Sequence, residues 1–108
     1  MSPPTDALVV LVTAPTAEKA AEIARVVVEE RLAACGNVVP GLRSIYRWEG
    51  RIQDDAEALL VLKTTRARFD ALRDRVLALH PYEVPEVIAL SVEAGSARYL
   101  AWIGAETA

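Results

Sequence analysis

Two long extended segments, separated by Glu49-Gly50, constrain the fold more than any other feature of this sequence. Residues 38–48 alternate in polarity with period two, and residues 51–64 contain the apolar run ALLVL. A glycine-containing two-residue turn between such segments is typical of a β-hairpin. Each arm would be about 12 residues long, roughly twice the mean strand of ~5–6 residues. We therefore expect a hairpin that extends beyond the rest of its own sheet.

Hydrophobic spacing predicts the elements on both sides of this hairpin. Residues 8–14, LVVLVTA, form an unbroken apolar run that favours a strand buried on both faces. Apolar residues at helical spacing predict a first helix, capped by Thr16 and ending near Cys35, and a second helix that ends at His80 before Pro81. The C-terminal part predicts one strand and one short helix, at residues 86–93 and 96–103.

The resulting order, β-α-β-β-α-β plus a helix, predicts an α+β fold of the ferredoxin-like, split βαβ kind. Four antiparallel strands then carry two helices on one face. A chain of 108 residues fits one domain, and we assign it to residues 8–106 after a flexible N-terminus at residues 1–7. This topology serves many unrelated functions, so it does not identify one.

The predicted hairpin implies an oligomer. It exposes Tyr46 and Trp48 beside a sheet edge, and such an edge aggregates unless something covers it. The hydrophobic fraction of 53% is also high for so short a chain. Because a repeated contact around an axis closes into a ring, we expect a closed oligomer. Residue spacing does not fix the number of subunits, and we favour a homotrimer.

Charge and composition exclude several classes of partner. Twelve basic and 15 acidic residues give a net charge of −3, which leaves no basic field for nucleic acid. No apolar run approaches the ~20 residues of a membrane span, and the N-terminus lacks the basic region of a secretory signal. One cysteine, Cys35, cannot form an internal disulfide. We expect a cytoplasmic protein.

His80 and Cys35 are the softest donors in the chain, and together they would suit copper or zinc. Glu83 or Glu86 would add an oxygen. Two antiparallel helices ending at Cys35 and His80, however, would hold these donors ~20 Å apart, so one ion would need two subunits. The structural alternatives are a buried thiol for Cys35 and a helix-terminal imidazole for His80.

Lys63 raises a separate alternative. It shares a predicted strand face with Glu57 and lies close to the start of the second helix, where it would hold an anion. A surface Glu57–Lys63 pair of little energetic value explains the same spacing.

Catalytic signatures are missing from the sequence. It contains no G-x-S-x-G, P-loop or C-x-x-C pattern. We therefore expect neither an enzyme nor an organic cofactor.

Five blocks, in order, give the sequence a specific resemblance. They are VVEERLAACGNVVPGLRSIYRWEG, DDAEALLVLKTT, RFDALRDRVLALHPYEVPE, IALSV and RYLAWI. Over nearly the whole chain from Leu8 onward, the sequence is similar to the CutA family of divalent-cation tolerance proteins. The resemblance implies a ferredoxin-like fold, a homotrimer built through the long hairpins, and a role in the response to copper or another divalent metal ion.

The same resemblance implies an inter-subunit cleft lined by Trp48, Lys63, Tyr82 and Glu86, to which the hairpin adds Tyr46 and Glu57. Tyr46 and Trp48 serve equally as subunit contacts. The family is also similar to trimeric PII-like signalling proteins, so the alternative function is a scaffold that senses a small molecule in this cleft.

Overall fold

The computed structural model describes residues 5–108. The predicted N-terminal segment falls partly outside this range, at residues 1–4, while Thr5 hydrogen-bonds Val92 through its backbone N–H and its hydroxyl. The strands and helices, in chain order, are β1 (Ala7–Ala14), α1 (Ala17–Glu29), β2 (Cys35–Trp48), β3 (Arg51–Thr65), α2 (Phe69–Leu79), β4 (Val87–Ser91) and α3 (Ala97–Glu106).

The four strands form one antiparallel sheet in the order β2-β3-β1-β4. The long hairpin is confirmed, because β2 has 14 residues and β3 has 15. β1 pairs with β3 only along residues 58–65 of β3, so residues 51–57 pair with β2 alone. We call residues 42–57, which project past the end of β1, the hairpin extension.

The core lies between one face of this sheet and the helices α1 and α2. It contains the alternate strand residues Val10, Val12, Leu60 and Leu62, which side chains from both helices cover. Gly36 makes close packing possible on β2, since a Cβ there would lie 2.9 Å from the Cβ of Ala24. Small residues on α1, such as Ala24, therefore let the helix approach the sheet.

The other face of the sheet is open over much of its length. Helix α3 packs at one end, where Ile103 joins Ala7 and Ala34 in a second small cluster. Ile88 and Leu90, on strand β4, remain 51% and 53% exposed. Among residues 5–108, no helix has the length and apolar character needed to cross a membrane.

The predicted end of the first helix is wrong. Thr16 caps α1 as expected, accepting a hydrogen bond from the Lys19 N–H, but the helix ends at Glu29. Arg31 has a positive φ of 59°, which turns the chain so that Ala33 enters the core. Because α1 has already ended at Glu29, Gly36 and Asn37 do not terminate it. Cys35 is instead the first residue of β2.

A β-bulge divides the hairpin into two parts. Pro40 and Gly41 lie opposite the single residue Ala58, and Gly41 has a φ of +83°. The extra residue moves the following β2 side chains to the other face of the sheet. The effect of the bulge on side-chain direction determines which β2 residues line the site.

Candidate functional site

A groove of about 930 Å³ lies between the hairpin extension and the connection from α2 to β4. We call it the hairpin groove. Its aromatic lining consists of Tyr46, Trp48 and Tyr82. Its acidic lining consists of Asp55, Glu57, Glu83 and Glu86. Within the part of the chain that the structure describes, no lysine or arginine side chain lines it.

The hairpin register brings its aromatic and acidic residues to one face. Asp55 and Glu57 are two residues apart on β3 and therefore point the same way. Tyr46 pairs with Gln53 and Trp48 pairs with Arg51, which lie on that same face. These β2 side chains share the face because the bulge has shifted the register by one residue.

Two tyrosine hydroxyls donate hydrogen bonds to carboxylates in the groove lining. The Tyr82 hydroxyl donates to Glu57 Oε2 at 2.6 Å, and the Tyr46 hydroxyl donates to Asp55 Oδ2 at 2.5 Å. Burial, followed by this hydrogen bond, raises the pKa of Tyr82 well above its usual range. The bond to Asp55 also raises the pKa of Tyr46. Both phenol groups therefore stay protonated at neutral pH and act as hydrogen-bond donors, which orient the two carboxylates.

His80 is fixed next to this groove by two backbone groups. Its Nε2 lies 2.7 Å from the carbonyl oxygen of Thr13, and its Nδ1 accepts a hydrogen bond from the Tyr82 N–H at 3.2 Å. Because a carbonyl only accepts, Nε2 carries the proton, and the imidazole is the neutral Nε2–H tautomer. The ring also lies against that of Tyr82, with centroids 4.6 Å apart.

Cys35 and Lys63 occupy a different part of the sheet, where they are paired across β2 and β3. The Lys63 Nζ lies 3.8 Å from the Cys35 Sγ and donates to the side chain of Asn37. Tyr99 lies 3.9 Å from the same sulfur, and its pKa is raised by burial and by this contact. Lys63 is thus absent from the lining of the hairpin groove within one chain.

The predicted metal donors do not fit a shared ion within one chain. The His80 ring is bonded to Thr13, which pairs with Leu59, whereas Cys35 pairs with Lys63, four residues further along β3. This corresponds to about 13 Å along the strand. Residues 5–108 contain no group of three or more His, Cys, Asp or Glu side chains placed to hold a metal ion. Of the four predicted metal donors, only Glu83 and Glu86 line the hairpin groove of the described chain.

Asp55 is the groove residue that sequence reasoning missed. It lies two positions before Glu57 on a strand with period two, and this spacing alone would have identified it. The Tyr82–Glu57 bond, by contrast, joins residues 25 positions apart and has no local sequence signal.

Fold and groove together define a small α+β protein with one antiparallel sheet, a projecting hairpin and a groove lined by aromatic and acidic side chains. The family model described as CutA1 divalent ion tolerance protein matches residues 8–106. The chain belongs to this family, which confirms the resemblance. The family description names tolerance of divalent ions and no reaction.

Individual relatives agree with this assignment. A divalent-cation tolerance protein CutA from Thermus thermophilus is 54% identical over 99 residues, which cover 92% of this chain and 96% of the relative. A chloroplastic CutA 1 from Oryza sativa is 49% identical over 96 residues, covering 89% of this chain and 54% of that longer relative. A crystal structure of CutA from Xylella fastidiosa has a TM-score of 0.94 at 42% identity and covers 96% of this chain and 100% of that chain.

Proposed function

We propose that this chain acts in the tolerance of divalent cations as a homotrimer, and that it binds the cation in the hairpin groove. The strand order and the two helices on one face support a ferredoxin-like classification of the fold. The cation that we favour is copper, because Cu²⁺ binds a given site more tightly than the other first-row divalent ions do.

The acidic lining of the hairpin groove carries this proposal. Four carboxylates surround the groove, and no basic side chain among residues 5–108 lines it. Glu57 and Asp55 are each oriented by a tyrosine, while Glu83 and Glu86 form no ion pair within the described residues. Glu83 and Glu86 are therefore the residues that we assign to the cation, with water or a neighbouring subunit completing its coordination.

Calorimetric titration of Cu²⁺ into the metal-free protein tests the assignment. The double variant Glu83→Gln/Glu86→Gln should lose at least about tenfold in affinity, since even outer-shell changes cost that much at metal sites. Glu93→Gln, which removes a carboxylate outside the groove lining, is the matched control. Equal affinity of the double variant and the wild type would eliminate these two ligands.

Exposed apolar surface supports the trimer. The hairpin extension exposes Ile45 and Ile52, and the open sheet face exposes Ile88 and Leu90. Large apolar patches of this kind mark subunit contacts. Light scattering coupled to gel filtration should give three times the 11.7 kDa of one chain. A stable mass of one chain would contradict the proposal.

The aromatic lining favours a second candidate function, a PII-like scaffold that senses a small molecule. Three aromatic rings with a few polar groups are typical of ligand pockets. The Trp102→Phe variant leaves Trp48 as the sole tryptophan of the chain, so its emission reports on the groove. A shift on addition of small-molecule metabolites, with no shift on addition of Cu²⁺, would favour this function.

A cytoplasmic location belongs to the same proposal. A reducing compartment would keep Cys35 as a free thiol. Fractionation of cells that express the tagged chain tests this, and recovery from another compartment would contradict it.

A further inference from the structure

We propose that His80 is a positioning residue for the hairpin groove and not a metal donor. Its neutral imidazole, held between the Thr13 carbonyl and the Tyr82 N–H, sets the place of Tyr82. The proposal rests on the proposed function only in taking the groove as the binding site.

The hydrogen bonds leave His80 without a lone pair for a metal. Nε2 carries a proton that it donates to the Thr13 carbonyl, and the Nδ1 lone pair accepts the Tyr82 N–H. The residue is only 8% exposed. A metal at either nitrogen would therefore have to displace a backbone partner in a buried place, where an unpaired polar group is costly.

His80 joins strand β1 to the C-terminal end of helix α2 at the point where the groove begins. Thr13 lies near the end of β1. Past this end, the hairpin extension has no β1 residue beside it. His80 follows the last residue of α2, and Pro81 then forces the chain to leave the helix. The imidazole thus ties this departing chain to β1 at a fixed distance.

Tyr82 carries the effect into the groove. Its N–H donates to His80 and its hydroxyl donates to Glu57, so one residue connects the imidazole with a groove carboxylate. Its ring lies against the imidazole as well. Loss of the Nδ1 acceptor should therefore displace Tyr82 and release Glu57, while the core between the helices and the sheet stays intact.

The tautomer is tested by ¹⁵N NMR on the wild-type assembly. We expect the His80 signals of a neutral Nε2–H ring, and we expect Zn²⁺, which is diamagnetic, to leave them unchanged at concentrations that perturb groove resonances. A Zn²⁺-induced shift of either His80 nitrogen, or the opposite tautomer, would overturn the proposal. If Zn²⁺ perturbs no groove resonance, the groove does not bind Zn²⁺ and the Cu²⁺ titration alone decides the proposed cation function, whereas the tautomer result still decides the role of His80.

Two variants separate the bonds of His80. His80→Asn keeps an acceptor for the Tyr82 N–H, as in an Asx turn, whereas His80→Gln keeps a donor that reaches Thr13. In the Trp102→Phe background, His80→Gln should change the Trp48 emission in the same direction as Tyr82→Phe does, and His80→Asn should leave it close to the parent. Equal emission changes in both variants would reduce His80 to a general packing role and overturn the proposal.

Discussion

Strand β3 passes through two different environments. Along residues 58–65 it lies between β1 and β2, and Leu60 is 0% exposed beneath the helices. Along residues 51–57 it pairs with β2 alone, and Ile52 is 62% exposed. The first part is complete within one chain, whereas the second exposes apolar surface that a single chain does not cover.

The hairpin extension is held by local contacts instead of a core. Arg43 donates two hydrogen bonds to Asp54 at 2.8 and 2.7 Å, and Tyr46 donates one to Asp55. Exposed cross-strand pairs of this kind contribute little to the free energy of unfolding, because solvent screens them. Such contacts fix the register of an exposed ribbon, but they do not replace buried apolar area.

The largest difference between the two parts of β3 should appear with apolar truncation. Leu60→Ala should lower the free energy of unfolding by about 2–5 kcal/mol, because it opens a cavity in the core. Ile52→Ala is the matched change on the hairpin extension. If other copies cover the extension, its cost should grow with protein concentration, since it weakens assembly. Chemical denaturation at two concentrations measures both, and equal, concentration-independent costs would abolish the distinction between the two parts.

Two glycines, one in a close helix–sheet contact and one with open space around it, test how tightly helix α1 packs on the sheet. Gly36→Ala should cost about 1–3 kcal/mol, because the added Cβ would lie 2.9 Å from that of Ala24 and 3.1 Å from Leu62 Cδ2. Gly104→Ala, on helix α3 with open space around the added atom, should instead stabilise the protein by about 0.5–1 kcal/mol. Thermal unfolding of both variants measures the contrast. A neutral Gly36→Ala would mean that the helix yields at this contact.

Much of the fold is predictable because it depends on local periodicity. The β-branched run at residues 8–14 predicts the central strand, and the Glu49-Gly50 turn predicts the hairpin, whose turn indeed has positive φ at both residues. The end of α1 is not predictable in the same way. It depends on the positive φ of Arg31, which no glycine marks in the sequence.

The candidate site is only partly predictable for a related reason. Tyr46, Trp48, Glu57, Tyr82 and Glu86 do come together, as the resemblance implies for most of them. Lys63 and Cys35 share the face of Glu57 but lie elsewhere along the sheet, because Lys63 is six residues beyond Glu57 on β3 and Cys35 pairs with Lys63. Contacts with a second copy are beyond what one sequence determines, so the metal set and the full cleft stay predictions.

A buried hydrogen bond in the part of the sheet that the helices cover should contribute more to the free energy of unfolding than an exposed one on the hairpin extension. Thr64 is buried, and its hydroxyl donates to the Leu32 carbonyl at 2.6 Å. Thr64→Val keeps the volume but removes the donor, which should cost about 0.5–1.5 kcal/mol. The neighbouring Thr65→Val is the control, since the Thr65 side chain makes no capping bond. Denaturant melts compare the two, and a loss at Thr65 equal to or larger than that at Thr64 would show that the Thr64 hydrogen bond contributes nothing of its own.

The smallest effect should come from the Arg43–Asp54 pair on the hairpin extension. Its hydrogen bonds hold the pKa of Asp54 below its usual range. A lowered folded pKa means that the pair stabilises the protein fully above the ordinary aspartate pKa of about 3.9, and that this contribution is lost as pH falls through the lower folded value. Asp54→Asn should therefore melt slightly below the wild type at neutral pH, and the gap should close in strong acid.

Arg43→Gln and the double variant complete this comparison as a mutant cycle. If Arg43 and Asp54 stabilise the protein only through each other, adding Arg43→Gln to Asp54→Asn should not lower the melting temperature further at neutral pH. A gap that persists below the folded pKa of Asp54, where the side chain is protonated, would show that Asp54 contributes through contacts that do not depend on its charge, and the hairpin extension would then be more tightly integrated with its surroundings than its exposure indicates.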